Sequence, residues 1–142
     1  MQATRILPDL QCSLLCEDIR QEVSGNLILL GVIQLIRVPQ LPVTAFKLCV
    51  VNRWTAGVGK FTESFRLLAP DQTTVLRQGE SKFALQDANN AQTNVTFLAQ
   101  VQFDAPGIYF VEVLVDDVMK LRYPLPVLVV PQPGPPQKPA TE

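Results

Sequence analysis

Apolar side chains recur at every second position in short runs along this chain, rich in β-branched and aromatic residues and separated by turn residues. No run repeats at helical spacing, so the pattern predicts an all-β domain of about eight strands. The first covers Leu10 to Asp18, with Leu10, Cys12, Leu14 and Cys16 facing in and Gln11, Ser13 and Glu17 facing out. Ser24-Gly25-Asn26 turns the chain into Leu27 to Ile36, a run apolar on both faces. Such a strand needs cover twice, at a sheet centre beneath a loop or at a partner interface. Val38-Pro39-Gln40-Leu41-Pro42 cannot continue a ladder and marks a crossing between sheets. Ala45 to Trp54 follows, with Phe46, Leu48, Val50, Asn52 and Trp54 inward, and then a hairpin at Ala56-Gly57-Val58-Gly59 leads into Phe61 to Leu68. Weak strands near Thr73 to Arg77 and Lys82 to Leu85 precede the polar loop Asp87 to Asn94. The cleanest alternation, Val95 to Phe103, puts Val95, Phe97, Ala99, Val101 and Phe103 inward. The last strand, Met119 to Val130, carries Pro124 and Pro126, which leave one of its sides locally unpaired.

Asp104-Ala105-Pro106-Gly107 delivers Tyr109 into a strand whose Tyr109, Val111, Val113 and Val115 face in. Immunoglobulin-like sandwiches open their F strand with such a tyrosine, its ring inside and its hydroxyl bonded to upstream backbone. Asp104, Gly107 and Tyr109 therefore read as a structural corner. The fold expected is an immunoglobulin- or fibronectin type III-like antiparallel β-sandwich over residues 1–131. Residues 132–142 are a proline-rich stretch that forms neither helix nor sheet and reads as a flexible tail.

Cys16-Glu17-Asp18-Ile19-Arg20, followed by Gly25-Asn26-Leu27-Ile28-Leu29-Leu30-Gly31-Val32, resembles the opening of an uncharacterised family of small bacterial β-sandwich proteins. Pro39 and Pro42, Phe46 to Cys49, and Pro106-Gly107 with Tyr109 ahead of Val111-Glu112-Val113 fit the same pattern. The resemblance runs to about Val130 and misses the proline tail. It implies a β-sandwich without an assigned activity, so it carries over no catalytic or binding residue.

Composition acts mainly by exclusion. Hydrophobic residues at 47% and charged residues at 18% describe a folded chain. Lys and Arg number 12 against 13 Asp and Glu and are scattered singly, so no nucleic-acid partner is expected. The first twenty residues hold no uninterrupted apolar core of a secretory signal. The longest apolar run, Leu27 to Ile33, falls far short of the ~20 residues of a membrane helix. A cytoplasmic protein with no membrane partner is the expectation. Three cysteines close no disulfide framework and suit a reducing compartment. On one strand face Cys12 and Cys16 stand ~13 Å apart at ~3.3 Å per residue, too far to pair or to share a metal ion. Cys49, on the side of Lys47 and Arg53, is expected to be the more exposed thiol.

Histidine is absent, which excludes ordinary hydrolytic triads, and Gly57-Val58-Gly59-Lys60 lacks the spacing of a phosphate-binding loop. No catalytic residue and no cofactor is expected. Asp116 and Asp117 are weak metal candidates: joined by Asp104 or Asp87 they would suit Ca²⁺, although paired acids at a hairpin are commonly turn formers. Trp54, with Arg53 and Tyr123, is either a platform for a carbohydrate or a cap on the core. Leu98, Phe110 and Leu114, with Leu15 on the first strand, are expected to point outward and form an apolar patch that another protein or a second subunit would cover. These features describe a non-enzymatic interaction or structural module that associates through an outer sheet face or an edge strand. A Ca²⁺- or carbohydrate-binding domain is the alternative.

Overall fold

The computed structural model of the chain describes residues 5–131, and the proline-rich segment 132–142 lies outside them. The described residues form nine strands and no helix. They are β1 (Asp9–Gln21), β2 (Leu27–Val32), β3 (Ile36–Val38), β4 (Val43–Thr55), β5 (Gly59–Leu68), β6 (Val75–Leu85), β7 (Ala91–Phe103), β8 (Gly107–Val115) and β9 (Val118–Val129). The order is β2-β1-β4-β7 in one sheet and β3-β9-β8-β5-β6 in the other. Every pairing is antiparallel except that of β3 with β9.

Nine strands stand where about eight were expected, and their division differs: the apolar run after Gly25 splits in two. Gly31 sits at φ +66°, and a Cβ there would stand 2.6 Å from Glu17 Oε2, so the left-handed turn and the carboxylate beside it both call for glycine. Beyond Val32 the chain leaves the first sheet, forms β3 in the second, and returns to the first through the Pro39–Pro42 segment. The two weak strands after Pro70, by contrast, fuse into β6. β3 meets β9 only at Val127 to Val129, beyond Pro124 and Pro126, where donors resume.

The interior is drawn from both sheets. Leu15, Leu48, Val50 and Leu98 from one meet Phe61, Phe65, Val111, Val113 and Leu125 from the other. The Tyr109 ring is buried edge-on against Phe103, centroids 5.0 Å apart, and its hydroxyl donates to the Ala105 carbonyl at 2.7 Å. A polar row crosses this interior: Ser13, Asn52 and Asn94 are register partners across β1, β4 and β7. Trp54 Nε1 donates to Glu63 Oε1 at 2.6 Å, Asn94 Nδ2 donates to the same oxygen at 3.1 Å, and the Ser13 and Tyr123 hydroxyls bond at 3.0 Å. Asn52 is fully buried, with neither side-chain polar atom hydrogen-bonded among the described residues.

Two irregularities reverse the expected facing. On β1 the register shifts between Leu10 and Cys12, so Leu10, Ser13 and Leu15 face in while Cys12, Leu14 and Cys16 face out. On β7, Gln100 takes a left-handed φ of 53°. Val101 and Phe103 keep their inward phase on one side of it, but on the other Leu98 turns in and Phe97 turns out. Opposite Gln100, Phe46 of β4 is exposed rather than inward.

Candidate functional site

The register decides which side chains share the outer face of the β2-β1-β4-β7 sheet. Three rows cross β1, β4 and β7: Cys12, Arg53 and Thr93; Leu14, Val51 and Val95; Cys16, Cys49 and Phe97. Leu27 and Leu29 of β2 complete the face, and with Cys12, Leu14 and Val51 they line a shallow hollow of about 580 Å³ rimmed by Gln21, Asn26, Arg53 and Thr93. Leu14 is 36% exposed, Leu27 38% and Phe97 54%, so the hollow and its border are apolar surface in contact with solvent. Ile28 and Leu30, on the other side of β2, are exposed as well. β2 therefore lies at a sheet edge with neither face covered, where the sequence pattern demanded cover on both.

Cys16 and Cys49 stand directly opposite each other on β1 and β4 and are fully buried among Val51, Ile19, Leu29 and Val95. Burial pushes both thiols up, Cys49 to about 11. The expectation that Cys49 is the more exposed thiol is thus corrected: its strand neighbours close over it, and half-buried Cys12, beside the hollow, is the accessible one. An ionic cluster bounds the thiols on one side. Lys47 Nζ donates to Asp18 Oδ1 at 2.6 Å, the Ile19 amide donates to the same oxygen at 2.8 Å, and Arg20 pairs with Asp18 Oδ2. Lys47 first and the Ile19 amide next hold the Asp18 carboxyl down to about 2. Lys47 Nζ also lies 4.9 Å from the Phe97 ring centroid, joining the cluster to the apolar rows.

The residues expected to form the outer patch do not lie together. Leu15 and Leu98 are 4% and 5% exposed, in the core, because the two backbone irregularities turn them inward. Leu114 is 7% exposed, and Phe110 is half-buried beneath the Arg122 guanidinium, 4.2 Å from its ring centroid. These two belong to the second sheet. Trp54 is fully buried, stacked on Phe83 at 5.7 Å, with Tyr123 bonded inward to Ser13, so the three-residue carbohydrate platform is not assembled.

Asp116 and Asp117 both adopt left-handed φ, 46° and 66°, in the β8–β9 hairpin. Asp116 accepts the Thr62 amide at 2.9 Å and pairs with Arg5, and its carboxyl is held below the usual range, chiefly by the Thr62 amide. Asp104 lies at the opposite end of β8, bonded by Gln102 Nε2 at 2.7 Å, so it cannot join them. Asp87 accepts the Asn89 amide at 2.7 Å within its own turn. Among the described residues no group of three or more acidic or cysteine side chains is placed to hold a metal ion.

Sequence reasoning placed Leu14 and Phe97 inward and so missed the face they form. Only the doubly apolar run at Leu27 pointed toward it. The two sheets, with an uncovered edge and exposed apolar residues on one outer face, define an all-β protein. The chain belongs to a family described only as "Family of unknown function (DUF6941)", which it matches over residues 11–128. No curated protein matches it.

Proposed function

We propose that the protein is a non-enzymatic interaction module that docks a protein partner on the outer face of the β2-β1-β4-β7 sheet. The observation that carries this is exposed Leu14 and Phe97 with half-buried Val95 between them, apolar surface continuous with a strand exposed on both faces. Burial of such surface gains roughly 25 cal/mol per Å², the usual driving force of association. The scaffold is immunoglobulin- or fibronectin type III-like: β1, β4 and β7 correspond to strands A, B and E, and β5, β6, β8 and β9 to C, C′, F and G. Tyr109 then occupies the E–F corner, and its bond to Ala105 supports that correspondence.

Affinity capture with the tagged full chain tests the docking face. A partner recovered with the wild type, lost from Leu14→Lys and Phe97→Lys, and retained by Ile108→Ser on the other sheet is the expected result. Recovery that is equal for all four proteins, or no recovery, overturns the reading.

A further inference from the structure

Four strands end the two sheets, and three carry a feature that discourages pairing with another chain. β6 bears Arg77, Glu80 and Lys82, and the Arg77 guanidinium reaches across to the Ala99 carbonyl of β7 at 2.8 Å. β7 is distorted by the left-handed Gln100. β3 has only three residues, includes Arg37 and runs directly into Pro39. β2 differs: Leu27-Ile28-Leu29-Leu30-Gly31-Val32 holds no charge and no proline, and its outer edge pairs with nothing among the described residues.

Resting on the interaction-module reading above, we propose that β2 pairs antiparallel with β2 of a second copy of this chain, joining two four-stranded sheets into one. The ladder limits how this happens. The Glu22 amide donates to the Asn26 carbonyl at 2.8 Å, so Asn26 turns its backbone toward β1. Alternation gives Ile28 and Leu30 the same direction and turns the N–H and C=O groups of Leu27 and Leu29 to the free edge. Antiparallel strands exchange bonds between residues whose groups face each other, which sets the twofold axis opposite Ile28 or Leu29 and yields about four to six backbone bonds.

Both registers bring the β1–β2 turn of one copy beside residues 33–37 of the other. Val23 in that turn is fully exposed, and the receiving segment forms a hollow of about 370 Å³ whose walls include Val32, Ile33, Leu35 and Arg37. Glu22 of one copy then approaches Arg37 of the other, twice by symmetry. Both are exposed, and neither has an ion-pair partner among the described residues. Glu17, also on the hollow wall, is a like charge that Glu22 approaches. The edge is self-complementary in backbone, apolar contact and charge.

Sedimentation equilibrium of the full chain at micromolar concentration tests this, with circular dichroism reporting folding. The expected mass is twice the 15.7 kDa of one chain. Ile28→Lys is expected to give monomer, Glu22→Arg and Arg37→Glu each to weaken dimerisation about tenfold, and the two reversals together to restore it. A monomeric wild type, or a dimer indifferent to Ile28→Lys and to the charge reversals, overturns the proposal. A monomer that still captures a partner through Leu14 and Phe97 overturns only the self-pairing and leaves the interaction module standing.

Discussion

The two outer sheet faces solve the same problem in opposite ways. On the five-stranded sheet Arg66, Glu112 and Arg122 form a register row, with the mostly buried carboxylate 3.2 Å from Arg66 Nε, off the hydrogen-bond angle, and 3.9 Å from Arg122 Nε. Arg122 also covers Phe110, so long cationic stems shield the apolar positions beneath them. On the four-stranded sheet the two central rows hold leucine, valine, cysteine and phenylalanine, with Arg53 and Thr93 on one side and the Asp18, Lys47 and Arg20 cluster on the other. The difference teaches that an apolar residue on an outer face is open to docking only as far as the side chains over it leave it exposed. Phe110 and Phe97 are both outward phenylalanines with a cation over the ring, and they differ in what is left open: Phe110 is half-buried beneath Arg122, whereas Phe97 stays 54% exposed beside Lys47.

The largest expected effect concerns which side of β7 meets the core. Leu98→Ala is expected to cost about 2–5 kcal/mol in urea unfolding, and its neighbour Phe97→Ala less than about 0.5 kcal/mol. Equal costs would mean that the reversal at Gln100 is wrong and that Phe97 is not surface. Thiol labelling at pH 8 sharpens the same contrast. Cys12 should react at least about a hundredfold faster than Cys16 and Cys49, which become reactive only on opening or unfolding. Early labelling of Cys49 would show that the outer face is less closed around the thiol pair than described.

The smallest effect is electrostatic. The Asp18 carboxyl is held at about 2 against an ordinary value of 3.8. A depressed carboxyl stabilises the fold fully above the ordinary value and loses that contribution as pH falls through about 2. Lys47→Met removes the first cause, so the Asp18 midpoint in an NMR titration should rise toward 3.8 and the acid-side loss should flatten. An unmoved midpoint would assign the depression to the Ile19 amide and Arg20 instead.

Much of the strand plan was legible because its signals are local. Asp104-Ala105-Pro106-Gly107 placed the turn, and Tyr109, Val111 and Val113 kept their phase because β8 runs without interruption to Val113. The candidate face was not legible, because facing has period two and one displaced residue inverts everything beyond it. The shift between Leu10 and Cys12 exchanged Leu14 for Leu15, and Gln100 exchanged Phe97 for Leu98. A bulge at Gln11 and a left-handed glutamine carry no residue signature that alternation alone would reveal.

The amino-acid sequence by itself determined an all-β chain, its turns and the corner at Tyr109, since these follow from backbone preference and local alternation. Only the tertiary structure decided that β2 stands at an edge and that the thiols and leucines of β1 face outward. Neighbour choice and strand phase are set by contacts between residues far apart in the chain, and such contacts leave no trace in a local pattern.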